Sequence, residues 1–244
     1  LAGYGRVFRS AAGGVDGIVE DRDATEIERE ITEINSSVYV FDSTDLVDSL
    51  SKINNKNAQG EEYLTDAIGV LQSAGKRVEP VIVEDFIEIL GVNDRFQLSE
   101  CTALLRDRIN LHWMKSGVTM IDPTTVWIDP TVSLSRDVVI YPEVALAGNT
   151  SIESGVVIGA RTTLINCEVK RGANIRDSYC DGAQIGSDAT VGPFAHLRGG
   201  TVLASNVKVG SFVEIKNSRV GEAAKVPHLS YVGDAEIGVR GAQN

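Results

Sequence analysis

The run VPHLSYVGDAEIG at 226–238 sets His228 three residues before Tyr231, in a chain with only three histidines. An imidazole, with an unperturbed pKa of about 6.5, can take up a proton near neutral pH and so serve as a general base. Upstream, AHLRGG presents Arg198 and VEIKNS presents Lys216. Guanidinium and ammonium groups suit a phosphate or another anion. Taken singly, none of these residues specifies a reaction. A histidine on a repeat surface is ordinarily solvated, and Arg198 and Lys216 read equally well as surface charges. His196, beside Arg198, is a weaker candidate, and His112 reads as a polar position on a helix.

The element that must position these residues has a period of six. Large aliphatic residues stand at Ile128, Leu134, Ile140, Leu146, Ile152, Ile158 and Leu164. The positions two earlier are Val126, Val132, Val138, Val144, Thr150, Val156 and Thr162. The phase slips through Val169, Ile175 and the irregular SYCDGA, then resumes at Ile185, Val191, Leu197, Leu203, Val209 and Ile215. A second slip leads to Val220, Val226 and Val232. Neither a helix nor a long strand repeats every six residues. Two inward residues separated by one outward residue make a very short strand, and the glycines at 186, 192, 210 and 221 read as turns after it. Short strand, turn and repeat predict a parallel β-helix of hexapeptides, whose core exists only by stacking.

Residues 1–95 read as mixed α/β. VDGIVE and SSVYVFD are short β-rich runs, DATEIEREI and STDLVDSLSKI are amphipathic and helical, and AGKRVEPVIVED predicts another short strand. Residues 96–117 predict a connector helix, with Leu98, Cys101, Leu105 and Ile109 on one face and Gly117 at its stop. The β-helix is expected over 123–244.

A chain of 244 residues, 43% hydrophobic and 23% charged, is long enough for two globular domains. Its net charge of −11 argues against non-specific nucleic-acid binding, while leaving room for a local phosphate pocket. No apolar run approaches the roughly 18 residues of a membrane span, and no signal peptide is evident, so the cytoplasm is the expected compartment. Cys101, Cys167 and Cys180 form no CxxC pair and read as three buried thiols.

The hexapeptide half resembles left-handed β-helix acyltransferases. Before it, GYGRVFR at 3–9, IVEDRDATEIEREITEINSSVYVFD at 18–42, NNKNAQGEEYLTD at 54–66 and GVNDRFQLSE at 91–100 resemble the later part of a Rossmann-like sugar-phosphate nucleotidyltransferase domain. Together with VGPFAHLRGG, VGSFVEIKNSRVG and VPHLSYVGDAEIG, the chain from about residue 3 to 238 resembles one family. That family is the bacterial bifunctional N-acetylglucosamine-1-phosphate uridylyltransferase and glucosamine-1-phosphate N-acetyltransferase. The resemblance implies acetyl transfer from acetyl-CoA to glucosamine 1-phosphate, then uridylyl transfer from UTP with Mg²⁺, giving UDP-N-acetylglucosamine. It also implies a homotrimer formed through the β-helix. It assigns His228 as the base, Arg198, Lys216 and Tyr231 to the amino-sugar phosphate, and Gly5, Glu20, Asn35 and Asn93 to the uridylyl-transfer substrate, with Asn93 also a Mg²⁺ ligand.

Several features depart from the family. The first segment, with its glycine-rich UTP loop and its metal-binding Asp, is not in this chain, and VRGAQN at 239–244 does not follow the hexads. The chain therefore reads as an internal fragment, expected to be inactive alone in uridylyl transfer. Ser37 stands where the family usually has Gly, and Gly199 where it usually has Pro. Three alternatives remain: another hexapeptide-tailed sugar-1-phosphate nucleotidyltransferase, a histidine-metal β-helix enzyme such as a γ-type carbonic anhydrase, and a non-catalytic trimeric scaffold.

Overall fold

The computed structural model describes residues 3–11 and 13–241. The expected domain limits at 1 and 244, and the last three residues of VRGAQN, lie outside the described residues. The chain forms two compact units, 1–97 and 98–244.

The first unit is built on one antiparallel hairpin, β1 (Arg6–Arg9) with β2 (Val15–Val19). Three short helices follow: α1 (Glu26–Arg29), α2 (Ser43–Leu50) and α3 (Asp66–Ser73). Thr25 and Glu28 close a capping box on α1, and the Asp42 carboxylate accepts from the Thr44 and Asp45 amides at the start of α2. Val7, Val15 and Ile68 make a small core, joined by Ile18, Tyr39, Phe41 and Val78. The run SSVYVFD forms no strand and pairs with none. Its alternation is nonetheless real: Tyr39 and Phe41 turn inward with ring centroids 5.5 Å apart, while Val38 and Val40 stand exposed. The strand expected in AGKRVEPVIVED is absent for the same reason; Val81 and Ile82 are exposed and no ladder partner reaches them. Among the described residues of this unit, the hairpin is the only sheet, so the expected Rossmann-like parallel sheet is not formed there.

The second unit opens with the helix α4 (Arg95–Lys115), of which residues from Leu98 belong to it. The face predicted from spacing is only partly the buried one: Leu98 and Leu105 are exposed, whereas Ile109, Trp113 and Met114 pack on the solenoid core. Asn110, fully buried, donates through Nδ2 to the Pro123 and Val126 carbonyls at 2.8 and 2.9 Å, tying the helix to the first coil. Gly117, at φ +100°, ends the helix in a conformation that suits glycine.

From Thr119 onward the described residues form a parallel β-solenoid of three seven-stranded sheets. On the face used below, the inward residues in register are Ile128, Leu146, Leu164, Cys180, Leu197, Ile215 and Val232. The predicted large residues fill the core, and so do Thr150, Thr162 and Thr201. Thr150 and Thr201 satisfy their hydroxyls on backbone carbonyls. Cys180 occupies the slot hidden in the irregular SYCDGA. The phase slips are steps of five residues instead of six, at 164–169, 175–180, 180–185, 215–220 and 232–237. Each short corner places Asn166, Asp177, Gly182, Asn217 or Asp234 at positive φ, residue types that tolerate this conformation best. Six-residue corners carry a left-handed residue too: Gly, Asn or Asp at several, such as Asp137, Gly155 and Asn206, and bulkier residues at others, including Phe194, Phe212 and Leu229. These last three stand exposed at corresponding corners of successive coils, and the two phenylalanine rings stack 5.0 Å apart.

The glycines at 186 and 210 serve close approach and not a left-handed turn. A Cβ on Gly210 would lie 2.9 Å from the His228 amide nitrogen of the next coil. The thiols also differ from expectation. Cys167 and Cys180 are buried, and burial pushes both pKa values up, while Cys101 on α4 is half-buried.

Candidate functional site

Alternation along the strands of one face turns Tyr179, His196, Glu214 and Tyr231 outward, in register with one another. Arg198 and Lys216 follow the paired Leu197 and Ile215 by one residue and form a second outward column beside the first. Arg198, Lys216 and Tyr231 therefore share one face. The neighbouring strands bring Arg198 within 2.9 Å of the Glu214 carboxylate. Both partners are well exposed, so the pair contributes little to stability and leaves the guanidinium available to a competing anion. Lys216 is half-buried, and its ammonium has no ion-pair partner among the described residues.

His228 lies on the corner that leads into the last strand of this face. Its ring is exposed and makes no hydrogen bond among the described residues; its carbonyl accepts from Ser230 Oγ. The corner is held instead by backbone, with the Leu229 amide donating to the Ser211 carbonyl at 3.0 Å. His196 stands edge-on to Tyr179, with ring centroids 5.4 Å apart. Glu214 was not singled out in the sequence, although its place two residues before Lys216 on a strand puts both on the outer side. Gly199, where the family usually has Pro, has open space around it. The left-handed position of that turn belongs to Gly200, at φ +79°.

In the first unit, three of the four expected substrate residues meet. The Asn35 amide donates to the Gly5 carbonyl at 2.8 Å, and a Cβ on Gly5 would lie 3.5 Å from a Glu20 carboxylate oxygen. Glu20 accepts from Thr65 Oγ1 at 2.9 Å, and Asn35 donates from Nδ2 to the Tyr39 hydroxyl at 2.6 Å. Burial raises the Tyr39 pKa, partly offset by the Asn35 bond. A cavity of about 830 Å³ is lined by Glu20, Asp23, Lys52, Asn57, Tyr63 and Thr65 among others, but not by Gly5, Asn35 or Asn93. Asp66 also lines it, its pKa raised by burial and then by Asp23.

Asn93 is exposed, and its amide donates to Gln97 Oε1 at 2.6 Å. The Gly91 amide donates to the Tyr4 hydroxyl at 2.8 Å, which brings this loop beside the Gly5 strand. The adjacent Asp94 carboxylate is engaged by the Gln97 amide at the start of α4. Among the described residues, no three His, Cys, Asp or Glu side chains gather to hold a metal. Asn93 alone offers one hard oxygen, short of the ligand set Mg²⁺ requires, so the residues present do not make its site.

Ser37 adopts φ +58°, and its amide donates to Asn35 Oδ1 at 3.1 Å. That conformation costs a non-glycine residue roughly 1–2 kcal/mol, part of which glycine would lose again as chain entropy. Ser37→Gly is expected to stabilise the first unit by about 0.5–1 kcal/mol, read as a raised urea midpoint at unchanged slope. A lowered midpoint would contradict the assigned backbone.

Comparison with known proteins gives a consistent picture. A family model described as the GMPPB C-terminal domain matches residues 123–239. The bifunctional protein GlmU of Streptomyces coelicolor is 48% identical over 237 residues, covering 97% of this chain and 49% of that protein. The bifunctional protein GlmU of Brevibacillus brevis is 48% identical over 236 residues, covering 97% of this chain and 51% of that protein. The chain thus spans about half the length of the curated relatives it matches. Among solved structures, the acetyltransferase domain of PglB from Neisseria gonorrhoeae, in complex with acetyl coenzyme A, aligns with 54% of this chain and 63% of its own. At 14% identity and a TM-score of 0.32 that likeness is too loose to bear on function. The two GlmU matches, nearly half-identical, extend over 97% of this chain and so take in both of its units, and the chain belongs to the family of the bifunctional GlmU proteins.

Proposed function

We propose that the solenoid carries the acetyl-transfer site of an enzyme that makes UDP-N-acetylglucosamine. The observation that supports this most directly is the common face of Arg198, Lys216 and Tyr231, entered by the corner that holds His228. Arg198 and Lys216 hold the phosphate of glucosamine 1-phosphate, with Glu214 released from Arg198 as the anion takes its place. Tyr231 contacts the same substrate. The sugar amine attacks the thioester carbonyl of acetyl-CoA, a C–N bond forms, the C–S bond breaks and coenzyme A leaves. His228 accepts the proton that the amine loses, a role its free, exposed imidazole suits.

The first unit is the later part of a nucleotidyltransferase domain, over 1–95, joined by a connector helix at 96–117 to a left-handed β-helix over 123–244. In it, Gly5, Glu20 and Asn35 bind the sugar of the uridylyl-transfer substrate, with UTP as the nucleotide donor; Asn93 would offer only one of the oxygens that a Mg²⁺ ion needs. The exposed corner residues Phe194, Phe212 and Leu229 support self-association, in keeping with a homotrimer. No described helix is long and apolar enough to cross a membrane, and the reading places the enzyme with its nucleotide and coenzyme A substrates in the cytoplasm.

The test is coenzyme A release by the purified chain, given acetyl-CoA and glucosamine 1-phosphate. Release that depends on the amino sugar, and not on glucose 1-phosphate, is the expected result. A folded chain that releases none would overturn the reading for this chain and favour the scaffold.

A further inference from the structure

The outward column that begins with Arg198 and Lys216 continues to Gly233, which pairs with Lys216 across the last two strands. Nothing projects from Gly233 itself, yet its place is filled. The Tyr231 ring folds back along its own strand and lies over it. A Cβ built on Gly233 would stand 2.7 Å from Tyr231 Cζ and 2.9 Å from Cε1, distances that real Cβ atoms do not show, and its closest neighbour would be the phenol oxygen. The phenol thus occupies the rung after Lys216, about 4.8 Å further along the column.

Gly233 is not in the left-handed region, so its backbone accepts any side chain. The strand end beyond it is fixed independently: the Asp234 amide donates to the Lys216 carbonyl at 3.1 Å, and Asn217 Nδ2 donates to the Asp234 carboxylate at 2.7 Å. Backbone geometry therefore gives no reason for glycine here, whereas the ring does. We propose that Gly233 is a positioning residue. By lacking a side chain, it lets Tyr231 lie down, and its hydroxyl completes a row with the guanidinium of Arg198 and the ammonium of Lys216. Such a row offers three hydrogen-bond donors to one elongated anion. The inference rests on the acetyl-transfer reading for the identity of that anion, but not for the placement of the ring.

Three variants of the full chain test it: Gly233→Ala, Tyr231→Ala and the double substitution. Glucosamine 1-phosphate is the calorimetric probe. Nuclear Overhauser contacts between the Tyr231 ring and the Gly233 α-protons are measured on the unaltered chain. A hydrogen bond to a charged group is worth enough that losing it weakens binding roughly tenfold or more. Gly233→Ala and Tyr231→Ala are expected to weaken binding by similar factors, and the double variant no further than Tyr231→Ala. Thermal unfolding of Gly233→Ala should stay within a few degrees of the unaltered chain. Missing ring contacts, or undiminished binding in Gly233→Ala beside weakened binding in Tyr231→Ala, overturn the inference. So does an additive loss in the double variant, which would mean that residue 233 acts without the ring. If ring contacts are present but neither the unaltered chain nor Tyr231→Ala distinguishes the probe from glucose 1-phosphate, the placement stands and the acetyl-transfer reading fails.

Discussion

Replacing His228 with alanine is expected to lower acetyl transfer to glucosamine 1-phosphate by roughly 10²–10⁴-fold, the range a positioned general base contributes. The loss should fall mainly on kcat, because the imidazole is assigned to a proton that moves only as the C–N bond forms. KM for the sugar phosphate, assigned to Arg198, Lys216 and Tyr231, should change little. Stability should change little as well, since the ring is exposed and makes no hydrogen bond among the described residues. In a protein that includes the whole uridylyl-transfer domain, that second activity should persist, since Gly5, Glu20 and Asn35 belong to the other unit. Rates measured by coenzyme A release and by pyrophosphate release decide the matter. Equal loss of both activities would mean that His228→Ala damages the fold, and an unchanged acetyl-transfer rate would remove His228 from the mechanism.

The largest stability effect is expected from Ile215→Ala. Ile215 is fully buried, in register between Leu197 and Val232, and sits directly behind the Glu214 and Lys216 side chains. Truncating an isoleucine in such a site costs about 2–5 kcal/mol, through lost burial and the cavity left behind. In a unit of this size that corresponds to a fall in Tm of roughly 5–20 °C. Because solenoid coils hold chiefly to their neighbours, the cost depends on what stands on either side. Val232 belongs to the last described coil of the face and is only partly buried, so Val232→Ala should cost less. Equal effects at 215 and 232 would contradict the stacking order, and calorimetric unfolding of the two variants measures the difference.

The six-residue period made the solenoid legible because one physical rule, inward residues separated by a single outward one, repeats without tertiary help. It lost its place at Cys180 for two reasons. The step there is five residues, and a thiol fills a slot otherwise held by Leu or Ile. The first unit was less legible. Val38 and Val40 have strong β-propensity, yet strands need ladder partners as well as propensity, and none reaches them. The helix α3 went unforeseen: it is eight residues long and carries Gly69 in its middle, which lowers helix propensity. On α4, spacing suggested a face through Leu98 and Leu105, but burial is decided by where the solenoid lies, and only the turns around Ile109 and Trp113 reach it. For the candidate site, alternation alone was enough to put Arg198 and Lys216 on the outside. The lie of the Tyr231 ring over Gly233 depends on a side-chain torsion that no spacing encodes.

The two corner lengths have a consequence for how such a chain can vary. A residue on the solenoid has an address of face and coil, and sequence number matters only through that address. Shortening a corner from six to five residues at 164–169 or 215–220 leaves later side chains on their original faces, with Asn166 or Asn217 as the left-handed residue of the shorter corner. Losing one residue inside a two-residue strand would instead invert inside and outside from that point onward. Single-residue insertions and deletions should therefore accumulate at corners and be purged from strands. The row of Arg198, Lys216 and the Tyr231 phenol could then be carried through considerable drift in length without its members parting company.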